Sequence, residues 1–213
     1  MRVVRIITQK RIDAIYSTWG SLPLSYEIDK FHTWVTRDHL LRRRLVSAAG
    51  IGRGDRLLDM ACGFGHNVPL ILEKAKPSQL TCLDASEAML KRCRSRAPPG
   101  TAFVQSHTSK MPFKNNSFGA IFCTYGFTVF QDAEGAMKEA KRCLKPGGRL
   151  AIMDVKPFSG AASILNPLWV FYNKAWLSDI ERDIPGLMRK HFTRVKTDEF
   201  FPGCAYITVG VKK

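Results

Sequence analysis

No Cys-x-x-C pair occurs among the six cysteines (Cys62, Cys82, Cys93, Cys123, Cys143, Cys204), no apolar run reaches membrane-spanning length, and no secretory signal pattern opens the chain. The first absence argues against a zinc site or a disulfide framework, so buried thiols in a reducing compartment are expected and no metal site is assigned. The other two point to a cytoplasmic protein. Internal repeats, low-complexity tracts and long linkers are also missing. Acids are scarce: 18 Asp and Glu stand against 33 Lys and Arg, a formal net charge of +15. Such a field attracts anionic partners, either an acidic membrane face contacted peripherally or nucleic acid. The basic runs Arg37–Arg44 and Lys91–Arg96 read more simply as solvent faces of amphipathic helices.

What is present is an ordinary globular composition of 213 residues, 45% hydrophobic and 24% charged, enough for one α/β domain with a sizeable core. Residues 1–50 read as a helical cap, with Ile12, Ile15, Trp19, Leu41 and Leu45 at helical spacings around a turn at Ser21–Ser25. Residues 55–155 alternate strands (near Arg56–Ala61, Leu80–Leu83, Ala102–Gln105, Gly119–Thr124 and Arg149–Asp154) with helices starting near His66, Ser86 and Asp132. Ser86 and Asp132 have N-cap chemistry. This order predicts a parallel sheet with its ligand site at the strands' carboxyl ends. Residues 160–190 form an aromatic insertion that reads as a lid helix. Residues 192–213 hold two extended segments, Phe192–Phe201 and Ala205–Lys212, joined too tightly for a crossover and therefore a closing hairpin.

The chemistry concentrates in Leu57–Asp84, LLDMACGFGHNVPLILEKAKPSQLTCLD. Gly63 and Gly65 allow a sharp bend and close approach of a ligand, and the helix expected from His66 would aim free N–H groups there. Asp84 ends the next strand, where a carboxylate can accept hydrogen bonds from both hydroxyls of a ribose. A ribose-containing cofactor is the expectation. Asp59 would repel a pyrophosphate over the turn, and Val68 occupies the third glycine place of G-x-G-x-x-G. S-adenosylmethionine, cationic and without phosphate, suits the turn better than NAD.

On these residues the chain resembles the class I S-adenosylmethionine-dependent methyltransferases, and within them the ubiquinone/menaquinone-biosynthesis C-methyltransferase-like group. The acid-x-Gly-x-Gly-x-Gly motif appears as Asp59, Ala61, Gly63 and Gly65, followed by Asp84. Met111–Phe127 (MPFKNNSFGAIFCTYGF) matches the loop and fourth strand, and Leu144–Val155 (LKPGGRLAIMDV) matches the turn into the fifth. The resemblance implies a Rossmann-like α/β fold. Its seven-stranded sheet would be mostly parallel with an antiparallel last strand and helices on both faces, the N-terminal cap lying outside the sheet. It also implies S-adenosylmethionine as methyl donor and S-adenosylhomocysteine as product.

Residue by residue, the resemblance assigns Asp84 to the ribose, Gly63 and Gly65 to the methionine portion, Asp59 to its ammonium group and Ala85 to the adenine flank. Ser106, followed by His107, falls where relatives bind the adenine amino group. Thr124 would line the methyl-donor pocket, and Tyr26 matches an N-terminal tyrosine able to close over the cofactor. His32, His107, Tyr125 and Tyr172 lie near the expected pocket, but no catalytic base is assigned. Where the quinone enzymes read Ser-Phe-Gly-Leu-Arg-Asn-Val, this chain reads Thr124-Tyr125-Gly126-Phe127-Thr128-Val129-Phe130. Losing the polar pair favours a small apolar or aromatic acceptor, lipid-like ones included. Two alternatives stand beside this reading: an RNA or DNA methyltransferase, for which no Asn/Asp-Pro-Pro-aromatic signature is present, and a non-catalytic cofactor-binding partner subunit.

Overall fold

In a computed structural model, residues 9–22, 24–25, 38–201 and 203–213 are described, without the side chains of residues 9 and 10. Helices α1 (Gln9–Ser21) and α2 (Asp38–Ala48) precede strand β1 (Leu57–Met60) and helix α3 (Val68–Leu72). Strand β2 (Leu80–Asp84), helix α4 (Glu87–Arg94), strand β3 (Ala102–Gln105), strand β4 (Phe118–Thr124), helix α5 (Ala133–Cys143) and strand β5 (Leu144–Val155) follow. A 3-10 helix (Gly160–Leu165) leads into α6 (Asn166–Ala175) and α7 (Ile184–His191), and strands β6 (Thr193–Phe200) and β7 (Ala205–Val211) end the fold.

The seven strands are ordered β3-β2-β1-β4-β5-β7-β6. β1 pairs in parallel with β2 on one side and β4 on the other, so the strand order reverses beside β1. β7 is antiparallel to both β5 and β6, and the stretch between Phe200 and Ala205 is too short for the crossover that a parallel β6–β7 pair would need. Ligands of open α/β sheets bind at the carboxyl ends of the strands where the order reverses, which here means the ends of β1 and β4.

Every residue of β1 is buried because both sheet faces are covered. Leu58 and Met60 join Ile121, Leu150 and Ile152 under α5 and α7, whereas Leu57 joins Phe122, Ala151 and Met153 under α2, α3 and α4. Successive side chains thus supply two separate cores from one strand. The expected N-caps are in place: Ser86 Oγ accepts from Met89 N at 3.3 Å and Asp132 Oδ1 from Gly135 N at 2.7 Å.

The helix after the glycine turn differs from expectation. It begins at Val68 rather than His66 and runs only to Leu72. Linked turns, Gly65 N to Cys62 O at 2.9 Å and Val68 N to Gly65 O at 3.1 Å, occupy the intervening backbone. Pro77 then holds Lys76 extended (ψ 151°), preventing the helix from resuming.

Candidate functional site

The ends of β1, β2 and β4 surround a cavity of about 290 Å³, closed on another side by Ile12, Asp13, Tyr16 and Trp19 of α1. Helix α1 reaches this position by lying close against α4. A Cβ on Gly20 would sit 3.1 Å from Ala88 Cβ, and Arg92 Nε donates to Gly20 O at 3.2 Å. Trp19 meets Trp176 edge-on, with ring centroids 5.0 Å apart. Nothing in the sequence showed that α1 would cover the strand ends, because helix packing is a tertiary choice among several apolar faces.

Of the residues expected at the site, Ala61, Gly63, Asp84, Ala85, His107 and Thr124 line the cavity. Asp59, Gly65 and Ser106 stand outside its lining, and Tyr26 and His32 lie outside the described residues. Ala61 and Tyr125, at the ends of β1 and β4, adopt left-handed backbone conformations (φ 57° and 56°). Such conformations cost an L-residue roughly 1–2 kcal/mol and turn the chain sharply at the cavity's edge.

The two glycines serve different purposes. Gly63 (φ +51°) would point a Cβ into open space beside the cavity, whereas a Cβ on Gly65 (φ +78°) would come within 2.8 Å of Cys93 Sγ. Gly65 therefore admits helix α4 instead of a ligand. The Gly63 N–H donates to Asp84 Oδ2 at 2.9 Å, and Ser86 N donates to Asp84 Oδ1 at 2.9 Å. Burial raises the Asp84 carboxyl to about 6, against the lowering effect of those two donors. A carboxylate offers about four acceptor positions, and the Ala85 amide also hydrogen-bonds it, so at least one remains for a ribose hydroxyl.

Asp59 is fully buried behind Asn67. Asn67 lines the cavity, and its Nδ2 donates to Asp59 Oδ1 at 2.9 Å and to Thr124 Oγ1 at 2.8 Å. Arg42 Nη1 donates to Asn67 Oδ1 at 2.9 Å, while Arg42 Nε pairs with Asp38, which accepts from Tyr125 OH at 2.7 Å. Asp59 Oδ2 has no hydrogen-bond partner among the described residues, and burial pushes that carboxyl up to about 7, partly opposed by Asn67 and Arg42. The network from Tyr125 to Asp59 joins α2, β1, the turn and β4. No motif in the sequence singled out Asn67, Arg42 or Asp38 as members of it.

The rest of the lining sorts by chemistry. Asp13, Asp84 and Asp132 give it a negative side. Thr128 is turned away: its N–H and Oγ1 both donate to buried Asp154, at 3.2 and 2.8 Å, while Val129 and Phe130 face the cavity. Tyr125 spends its hydroxyl on Asp38, and Tyr172 stacks on Trp169 at 5.8 Å. Burial, with the charges of Asp154 and Asp84, raises the Tyr16 phenol to about 12.

Behind the turn, the Sγ atoms of Cys62, Cys82 and Cys93 come within 4.8 Å of one another, a grouping that spacing alone could not reveal. Hydrogen bonds from Cys62 and Cys82 hold the Cys93 thiol below its ordinary value.

A cationic, phosphate-free nucleoside fits these residues. The first turn amide is already committed to Asp84, the helix behind it has only five residues, and the lining carboxylates attract positive charge.

Known proteins give the same answer. A methyltransferase-domain family model matches residues 58–152. The demethylmenaquinone methyltransferase of Thermotoga maritima is 32% identical over 136 residues, 64% of this chain and 58% of that protein. A ubiquinone/menaquinone biosynthesis C-methyltransferase of Desulfotalea psychrophila is 30% identical over 189 residues, 83% of this chain and 76% of that protein. A Mycobacterium ulcerans protein described as a probable phthiotriol/phenolphthiotriol dimycocerosates methyltransferase is 33% identical over 111 residues, 49% of this chain and 41% of its own length. The crystal structure of a Thermotoga maritima S-adenosylmethionine-dependent methyltransferase, titled a possible histamine N-methyltransferase, superposes with a TM-score of 0.73 at 22% identity, covering 95% of this chain and 100% of that one. With the acid-tipped β2, the glycine turn and the sheet order β3-β2-β1-β4-β5-β7-β6, the chain belongs to the S-adenosylmethionine-dependent methyltransferases.

Proposed function

We propose that the protein transfers the methyl group of S-adenosylmethionine to a small lipid-like or aromatic acceptor. The observation that carries this reading is the cavity wall after β4: Thr128 is locked to Asp154, so Val129 and Phe130 present an apolar surface to the acceptor's side of the cavity. A polar acceptor ring would lose hydrogen-bond partners against that wall, whereas an apolar one would be desolvated favourably. The Mycobacterium ulcerans relative, whose name gives phthiotriol/phenolphthiotriol dimycocerosates as what it methylates, supports the same acceptor class.

When bound, S-adenosylmethionine supplies a methyl group already activated by its sulfonium. The remaining roles belong to the chain. Asp84 accepts the ribose hydroxyls, with Gly63 N–H fixing its orientation. Ala85, Met89 and His107 border the adenine, with Ser106 fixing the loop through its 2.9 Å bond to the Lys110 carbonyl. Asn67 faces the methionine end and transmits the charge of Asp59, while Thr124 lies beside the reacting centre. Helix α1 excludes water, and alignment plus desolvation supplies most of the rate enhancement. No side chain is assigned as general base.

Incubating the protein with methyl-labelled S-adenosylmethionine and fractionated extract tests the reading. Label should enter the organic-soluble fraction. Incorporation into RNA or protein alone would overturn it.

A further inference from the structure

Helix α6 is built the wrong way round for a helix that only covers a core. Its one buried residue is polar Asn173, while Leu168 (71% exposed), Phe171 (74%) and Tyr172 face water. Ile164 (82%) and Leu165 in the preceding 3-10 helix extend the same stripe, at positions 164, 165, 168, 171 and 172, which fall on one helical face.

The stripe is held rigidly. Trp169 Nε1 donates to Lys156 O at 3.1 Å, and Asn166 both accepts from Phe158 N at 2.7 Å and donates to Phe158 O at 3.1 Å. It is also extended at both ends. Toward the hairpin, a Cβ on Gly203 would collide with the Ser159 side chain, so Gly203, two positions from exposed Phe201 (57%), lies against the residue that precedes the 3-10 helix. Toward α1, Trp176 touches Trp19, and exposed Leu22 and Leu24 follow. Soluble monomers rarely leave so many large apolar side chains on one edge.

We propose that this edge is a docking surface for a bilayer containing anionic phospholipid, which rests on the lipid-like acceptor reading of the adjoining cavity. Charge complementarity selects this occupant. Arg44 lies over Phe200 at 5.0 Å, beside the hairpin tip, and Arg92 holds the carbonyls of Gly20 and Leu22 at 3.2 and 3.4 Å. Cations therefore flank both ends of the stripe, and Lys174 sits on the same helix off the apolar face. Nearby Glu181 and Glu199 are engaged by Lys174 (3.9 Å) and Lys156. The whole chain carries +15. An apolar helical face with Leu, Phe and Trp, bordered by Lys and Arg, is the composition that lies in the plane of an acidic membrane interface. The edge adjoins the cavity through the Trp19–Trp176 contact, which would let an acceptor pass from the lipid phase to the wall at Val129 and Phe130.

Co-sedimentation of the full chain with vesicles of phosphatidylcholine, with and without one quarter phosphatidylglycerol, tests the proposal, with calorimetry of S-adenosylmethionine binding alongside. The protein should pellet with the anionic vesicles. The Leu168→Glu/Phe171→Glu variant, altered only at water-exposed positions, should bind them at least tenfold more weakly while binding S-adenosylmethionine unchanged. Wild-type protein remaining in the supernatant would overturn the proposal, as would a variant that pellets equally well. A concentration-dependent dimer abolished by the variant, without vesicle binding, would assign the edge to a second copy instead. Loss of S-adenosylmethionine binding by the wild type would refute the functional reading and leave the vesicle result standing.

Discussion

The backbone N–H of Gly63 donates to Asp84 Oδ2 at 2.9 Å, so the bend after β1 and the acid at the end of β2 act as one unit. Gly63 is part of the orientation of the carboxylate, and the carboxylate in turn satisfies an amide that relatives of other cofactor classes would leave for a phosphate.

This coupling makes Asp84 the most sensitive position for donor binding. Asp84→Ala removes the charge-assisted acceptor and leaves the Gly63 and Ser86 amides without it, so affinity for S-adenosylmethionine should fall by about 10- to 100-fold, the equivalent of ~1.5–3 kcal/mol. Titration calorimetry measures this directly. Unchanged affinity would remove Asp84 from the site.

Stability and donor affinity should depend on pH in opposite directions. Asp59, Asp84 and Asp154 are raised by burial to about 7, 6 and 6, above the ~3.9 of an unfolded aspartate. Each therefore binds its proton more tightly when folded. The stabilisation is complete below about pH 4 and is lost as pH rises through 6 to 7. Thermal melts of the ligand-free protein should accordingly show a higher Tm at pH 5.5 than at 7.5, and Asp59→Asn should flatten that dependence. Donor affinity, which needs ionised Asp84, should instead rise from pH 5.5 to 7.5.

Ala61 occupies a left-handed conformation at φ 57°. Ala61→Gly relieves strain of about 1–2 kcal/mol while adding roughly 0.4–1 kcal/mol of unfolded-state entropy. A net gain between zero and about 1.6 kcal/mol is expected, read as a higher denaturant midpoint at constant m-value. A loss of stability would mean that the bend is not strained.

Asn67→Ala should be costly far beyond one side chain. It removes partners from Arg42, Asp59 and Thr124 at once, two of which are buried charged groups. Unfolding in urea should show a loss of at least about 2 kcal/mol, with weakened donor binding. A smaller loss would indicate that water replaces the amide.

Much of this was legible in the sequence because it depends on local chemistry. The β1 and β2 strands are runs of apolar residues between turn signals, and the caps at Ser86 and Asp132 need only a side-chain oxygen three residues before its partner amide. The hairpin followed from the length of its connection. The misplaced start of α3 also has a local cause, the linked turns through Gly65. What could not be read depends on how distant elements meet. The direction of the Asp59 side chain, hidden behind Asn67, is set by packing at a strand end. The near-contact of Cys62, Cys82 and Cys93 joins a turn, a strand and a helix, and the covering of the cavity by α1 rests on its fit against Ala88.

The edge-on indoles of Trp19 and Trp176 tie one wall of the nucleoside chamber to the helix that faces outward. Tyr16 OH also donates to Trp176 O at 3.4 Å, so the outward-facing helix and the chamber wall share two contacts at one residue. Removing the Trp176 side chain should therefore loosen the wall of the chamber as well as the end of the helix.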